Sequence, residues 1–138
     1  MSNKDMGVIE KNYRELKLYY HPDNRIAKQS IAVAEATKAE KVLINLEEVK
    51  LTETQWAEIA TLLDKNPSEL INTDHSLVKE TLSDNPELDE NQALKILVHN
   101  QQVLLHSIAM RGKKVIEVEG INDLMKLQEM DSRDAKLP

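Results

Sequence analysis

Lys17-Leu18-Tyr19-Tyr20-His21-Pro22-Asp23-Asn24-Arg25-Ile26-Ala27-Lys28-Gln29-Ser30 is the stretch whose reading decides the fold. Leu16, Leu18 and Tyr20 alternate with Lys17 and Tyr19, a period of two that predicts a strand. Pro22 ends it, because proline has no N–H to donate to a sheet ladder. Asp23 or Asn24 then serves as N-cap of a helix, its side chain accepting from an orphan N–H. Strand, turn and helix in this order present backbone N–H groups, at the positive end of a helix dipole, to an anion or a reactive side chain. No thiol stands in the stretch.

Reading outward, Ala27, Ile31 and Ala34 recur at i, i+4 and i+7, with Ile26 and Val33 widening an apolar stripe whose small residues suit close packing on a sheet. Val42-Leu43-Ile44-Asn45-Leu46 reads as a second strand, buried on both sides. A strand-helix-strand unit makes the two strands parallel, with a right-handed crossover. Thr52-Glu53-Thr54-Gln55 has capping-box spacing and opens a helix with Trp56, Ile59, Ala60 and Leu63 on one face, stopped by Asn66-Pro67. A loop or short turn is expected over Ser68 to Thr73, a short helix over Ser76 to Leu82, a break at Asn85-Pro86 and a stronger helix over Asp89 to Asn100. Val103 to Met110 then reads as a strand, Arg111-Gly112-Lys113 as a tight turn and Lys114 to Glu119 as its antiparallel partner. Gly120 to Asp123 starts a final helix through Leu124 and Leu127. The order predicts an α/β fold: a thioredoxin-like mixed sheet of about four strands flanked by helices, with a helical insertion. Residues 1–15 read as an N-terminal extension, whose Met6 to Glu15 segment is an edge strand or a helical cap. Residues 16–128 form a single domain with the insertion at about 51–100, and 129–138 is a polar tail.

Composition narrows the chemistry. The chain has 138 residues, 41% hydrophobic and 30% charged, as expected of one globular domain. Phenylalanine is absent and aromatics are 3%, so the core falls to Leu, Ile, Val, Ala and Met. A net charge of −6 argues against a nucleic-acid binder. The absence of cysteine removes disulfides, zinc-thiolate sites and thiol nucleophiles. Met1 to Glu10 lacks the apolar core of a signal peptide, and no apolar run reaches the ~18 residues of a membrane span, so a cytoplasmic location is expected.

Three motifs in order resemble the arsenate reductase (ArsC) family of glutaredoxin-like proteins, including its Spx regulatory branch, over roughly Leu16 to Gln128. Leu18-Tyr19-Tyr20-His21-Pro22-Asp23-Asn24 is similar to the family's strand and loop ending in Pro-x-Cys. Glu69-Leu70-Ile71-Asn72-Thr73 is similar to the segment before its inserted helices. Leu104-Leu105-His106-Ser107-Ile108 resembles its Leu-x-Arg-Pro-Ile stretch, which carries a cis-proline and an anion-binding arginine. The resemblance implies a glutaredoxin-like fold and, in catalytic members, glutaredoxin-dependent arsenate reduction. The departures bear on that activity. The family's nucleophile position falls on Asn24, its second cysteine position on Ala27, and its Arg-Pro pair on His106-Ser107; no arginine stands near Asn72 to Asp74. A carboxamide cannot replace a thiolate as nucleophile.

Each candidate has a structural and a functional reading. Asn24 is first a helix cap and second a ligand-orienting amide. Arg25 and Lys28, on the first turns of the helix, are first solvated surface and second an anion-binding pair. His21 and His106 converge if the loop before the first helix faces the loop before the hairpin, but two histidines without a third ligand make no metal site, and no metal is expected. His75 and His99 have no ligating spacing. Ser107 lacks the setting of an activated nucleophile, and its replacement of proline argues against a cis bond. One of Tyr19 and Tyr20 should be core and the other half exposed, Met110, Met125 and Met130 should fill gaps, and Glu47, Glu48, Glu53 and Glu58 should form a solvated face. Together, His21, Asn24, Arg25, Lys28, His106 and Ser107 are the candidate anion or ligand contacts. The expected function is a non-catalytic binding or regulatory module. The alternative is an anion-handling enzyme using His21, Asn24, His106 and Ser107 with an external thiol. A third reading is a structural subunit that dimerises through an exposed edge of the first strand. The residues demand no cofactor, and glutathione enters only through the resemblance. The partners considered are a protein, a small anion or glutathione, with no nucleic acid and no membrane.

Overall fold

The computed structural model describes residues 15–36, 40–84, 88–120 and 122–127. The expectations for Met6 to Arg14, for the Asn85-Pro86 break, for Met130 and for the tail at 129–138 lie outside these residues. The elements are β1 (Glu15–Tyr20), α1 (Ala27–Ala36), β2 (Glu40–Asn45), α2 (Glu53–Leu63), a 3-10 turn (Pro67–Leu70), α3 (Ser76–Asp84), α4 (Glu90–His99), a second 3-10 turn (Gln101–Val103), β3 (Ser107–Arg111) and β4 (Lys114–Val118). A last helix, α5, covers residues 122–127. The four strands form one mixed sheet in the order β2-β1-β3-β4. β1 pairs in parallel with β2, Leu18 opposite Leu43, and antiparallel with β3, Leu18 opposite Ala109. The hairpin partner β4 closes the far edge.

The period of two in β1 divides the core. Leu16 and Leu18 join Ala34, Ala109, Val118, Leu124 and Leu127 on the side of α1 and α5. Tyr19 belongs to the opposite cluster, with Trp56, Ile59, Leu97 and Ile108, on the side of α2 and α4. Tyr19 is buried and Tyr20 half-buried. Met110 is buried, whereas Met125 is 44% exposed and fills no gap.

Local signals set most helix starts. Thr52 and Gln55 form the expected capping box, and Asn66 with Glu69 and Asp89 with Gln92 form two more. α2 ends on Asp64 in the left-handed region, whose N–H bonds back to Ala60 and Thr61. Beyond it, Lys65 makes a hydrogen-bonded ion pair with Glu117 of β4. That bond raises the Lys65 ammonium above the usual lysine value.

Three expectations are corrected. β2 is an edge strand, exposed at Glu40 and Lys41 and only half-buried from Val42 to Asn45. Its apolar run covers the sheet margin rather than its centre. Conversely, β1 is central and has no free edge through which to dimerise. The apolar run from Val103 to Met110 does three jobs rather than one: Val103 ends a 3-10 turn, Leu104 makes an isolated bridge to Ile71, and the strand proper begins at Ser107. Arg111 remains in the ladder opposite Lys114.

The hairpin loop is therefore Gly112-Lys113, with Gly112 at φ 60° and no positive φ at Lys113. Glycine in the first of two loop positions is the II′ arrangement, which suits the twist of the flanking strands. Gly112→Ala should lower stability by about 1–2 kcal/mol in urea denaturation. A second prediction concerns alkaline pH. Burial, reinforced by the Glu15 carboxylate, pushes the Tyr19 phenol up from 10.0 to about 12. A value raised in the folded state means that the contribution is intact below pH ~10 and is lost as pH climbs toward 12, at ~1.4 kcal/mol per unit. The urea midpoint should fall over that window, and Tyr19→Phe should flatten part of the fall.

Candidate functional site

The turn after β1 is built by its own polar groups. The His21 carbonyl accepts from the Asn24 N–H (2.9 Å) across Pro22-Asp23, with proline at the position where its fixed φ suits a turn. The Asp23 N–H donates to His21 Nδ1 (3.1 Å). That nitrogen therefore carries a lone pair, and the imidazole proton belongs on Nε2. Among the described residues the Asp23 carboxylate caps no N–H; its Oδ2 lies 3.8 Å from His21 Nδ1.

Asn24 carries the second half of the turn. Its Oδ1 accepts from the Ile26 N–H (2.9 Å), and its carbonyl accepts from the Ala27 N–H (3.1 Å). This satisfies donors at the entrance of α1, which begins at Ala27, later than the sequence suggests. Its Nδ2 donates to the Leu105 carbonyl (2.9 Å), 81 residues away. Both ends of the carboxamide are thus engaged, one with the helix entrance and one with the segment leading into β3. That segment is anchored in turn: Leu105 N–H donates to the Leu70 carbonyl (2.8 Å) and Asn72 N–H to the Val103 carbonyl (2.8 Å), around the Ile71–Leu104 bridge. The sequence motifs around residues 18–24, 69–73 and 104–108 therefore meet in space.

The remaining candidates differ in burial and bonding. Arg25 and Lys28 are exposed, and Ala27, the first residue of α1, is buried. His106 is half-buried, while Ser107 is buried with a hydroxyl that has no hydrogen-bond partner among the described residues. Among the described residues no hydrogen bond joins any two of the side chains of His21, Asn24, His106 and Ser107, although an enzyme using an external thiol needs at least two of them within reach of each other. No described peptide bond is cis. His21 instead lines a cavity with His99. His75 is structural, its Nδ1 accepting from the Leu77 N–H at the start of α3 (3.2 Å).

Sequence reasoning passed over Gln101. It is 5% exposed; its Nε2 donates to the carbonyls of Leu46 and Val49 (both 2.7 Å), and its Oε1 accepts from the Leu51 N–H (2.8 Å). One amide thereby ties the loop after β2 to the end of α4. It stands in the polar stretch His99-Asn100-Gln101-Gln102, which gives no local signal that one of these amides turns inward.

Removal of the Asn24 bridge has a measurable signature. Asn24→Ala loses both side-chain bonds and should cost about 1–2 kcal/mol in urea denaturation. Asn24→Asp keeps an acceptor for Ile26 but turns an oxygen toward the Leu105 carbonyl. Hydrogen exchange at the Ile26 amide should therefore stay slow in Asn24→Asp and quicken in Asn24→Ala.

No protein-family model and no curated protein sequence matches the chain. Solved structures do. An arsenate reductase from Vibrio cholerae superposes with a TM-score of 0.73 at 12% identity, covering 84% of this chain and 99% of that one. A proposed arsenate reductase from Yersinia pestis gives 0.71 at 16% identity, covering 80% and 98%. A proposed ArsC-family-related protein from Bacteroides fragilis gives 0.68 at 15% identity, covering 84% and 99%. The four-stranded mixed sheet with its flanking helices is thus the thioredoxin-like fold of the arsenate reductase structures, built here from a chain that contains no cysteine.

Proposed function

We propose that the chain is a non-catalytic binding or regulatory module on an arsenate-reductase-like scaffold, acting through contacts rather than thiol chemistry in the cytoplasm. The observation that supports this reading is the engagement of Asn24. The residue at the nucleophile position of the resembling family has its carboxamide bonded at both ends, to Ile26 and to Leu105. A carboxamide so held does not act as a nucleophile, and its oxygen already occupies the Ile26 N–H at the helix entrance. The Spx branch named above supports the second half of the reading, because there the same scaffold acts through protein contacts.

The test is arsenate reduction coupled to glutathione and glutaredoxin, run on the native chain and on Asn24→Cys/Ser107→Pro. The native chain should give no arsenate-dependent oxidation of glutathione. The new thiol should be alkylated faster than a free cysteine, because the helix entrance lowers a thiol pKa. Arsenate turnover by the native chain would overturn the proposal.

A further inference from the structure

On the other side of the same turn, a cavity of about 270 Å3 lies between the β1–α1 turn, the loop after β2 and the end of α4. Pockets for drug-sized ligands run to roughly 300–1,000 Å3, so the volume suits a small metabolite. Its buried lining includes His21 and Gln101, and its exposed lining includes Asp23, Glu47, Lys50 and His99.

The polar capacity of this lining is unevenly used. Gln101 has both donors and its acceptor engaged by the loop at 46–51. His21, 7% exposed, has Nδ1 occupied by the Asp23 N–H, which leaves an Nε2–H with no acceptor among the described residues. His21 Nε2 is not among the buried side-chain nitrogens sealed from water, so this donor is open to solvent, whose place a ligand acceptor can take. His99 is the complement: its Nδ1 meets the Lys95 carbonyl (2.8 Å), so the proton lies there and Nε2 keeps a lone pair. Lys50 and Glu47 stand three residues apart with opposite charges, yet among the described residues neither forms an ion pair. The protonated Nε2 of His21 makes a poor metal ligand, and among the described residues no group of three or more His, Asp or Glu could hold a metal ion.

A lining with an unpaired donor on a largely buried histidine, a free acceptor, an ammonium at Lys50 and carboxylates at Asp23 and Glu47 fits a ligand that carries both signs within a few atoms. We propose that the cavity binds a free α-amino acid, its carboxylate taking the His21 Nε2–H and Lys50, its ammonium taking Glu47 and the His99 lone pair. This site is separate from the reading of Asn24, whose side chain faces Leu105, and either can fail without the other.

The test uses the full chain labelled for imidazole NMR, titrated separately to millimolar concentration with each of the twenty L-amino acids. The best binder is compared with its N-acetyl derivative, with its carboxamide and with inorganic phosphate. At least one free amino acid should shift the His21 and His99 signals saturably, and each blocked derivative should bind about tenfold more weakly or worse. Glu47→Gln and Lys50→Met, both at exposed positions, should each weaken binding about tenfold with otherwise unchanged spectra, and His21→Gln should abolish it. The proposal is overturned if no amino acid binds, if phosphate or the N-acetyl derivative binds as tightly as the free amino acid, or if the two rim variants bind as the native chain does.

Discussion

Strand β1 is hydrogen-bonded along both edges, in parallel to β2 and antiparallel to β3, and its side chains alternate between two separate cores. This one segment therefore couples both layers of helices. Leu16 and Leu18 hold α1 and α5 to one face, while Tyr19 reaches the cluster around Trp56 on the other. Burying a leucine is worth about 1.5–3 kcal/mol, so a short run in β1 supplies a sizeable share of the few kcal/mol by which a domain of this size is stable. A core without phenylalanine has little redundancy. Trp56 is its largest fully buried side chain, and Leu, Ile and Val supply most of the rest.

Two amides then fix what the apolar cores leave loose. Asn24 bridges the entrance of α1 to the segment before β3, and Gln101 bridges the loop after β2 to the end of α4. They are not equivalent. Each hydrogen bond is worth only about 0.5–1.5 kcal/mol net. Gln101 is buried, so its loss would leave two carbonyls and an N–H without partners in a place water reaches poorly. Asn24 is half-buried, and water can replace part of what it provides. Gln101 is accordingly the stronger structural constraint, although Asn24 occupies the more suggestive position.

The parts of this arrangement that were legible in the sequence are the local ones. The alternation of β1, the Thr52 capping box and the apolar stripe of α4 depend on neighbours a few residues away, and periodicity reports them directly. The edge position of β2 was not legible, because an apolar run has the same appearance in a central strand and at a sheet margin. The division of Val103 to Met110 among a 3-10 turn, a bridge and a strand depends on Ile71 and on the demand for Gln101 to turn inward, neither of which is local. For the candidate site, the helix-capping role of Asn24 could be read from its type and position, but its bond to a carbonyl 81 residues away could not. His21 and His106 share no hydrogen bond among the described residues. The histidine that shares a cavity with His21 is His99, brought there by the end of α4.

The turn at residues 21–24 consequently faces two ways with opposite polar balance. A thiolate at a helix entrance depends on N–H groups that remain open to it, since they lower its pKa and orient it. Asn24 supplies a neutral oxygen to the Ile26 N–H and a donor to Leu105, so its own two contacts on this side of the turn are made without an anion. Three residues earlier, His21 has Nδ1 satisfied and Nε2 without an acceptor among the described residues, beside Asp23 and beside a lysine and a glutamate that form no ion pair among the described residues. Unmet polar capacity, not positional likeness to a catalytic residue, is what a ligand must complement. By that criterion the surface better prepared for a small molecule lies on the His21 side of the turn, whereas on the side that resembles a redox site the Asn24 carboxamide has both ends engaged.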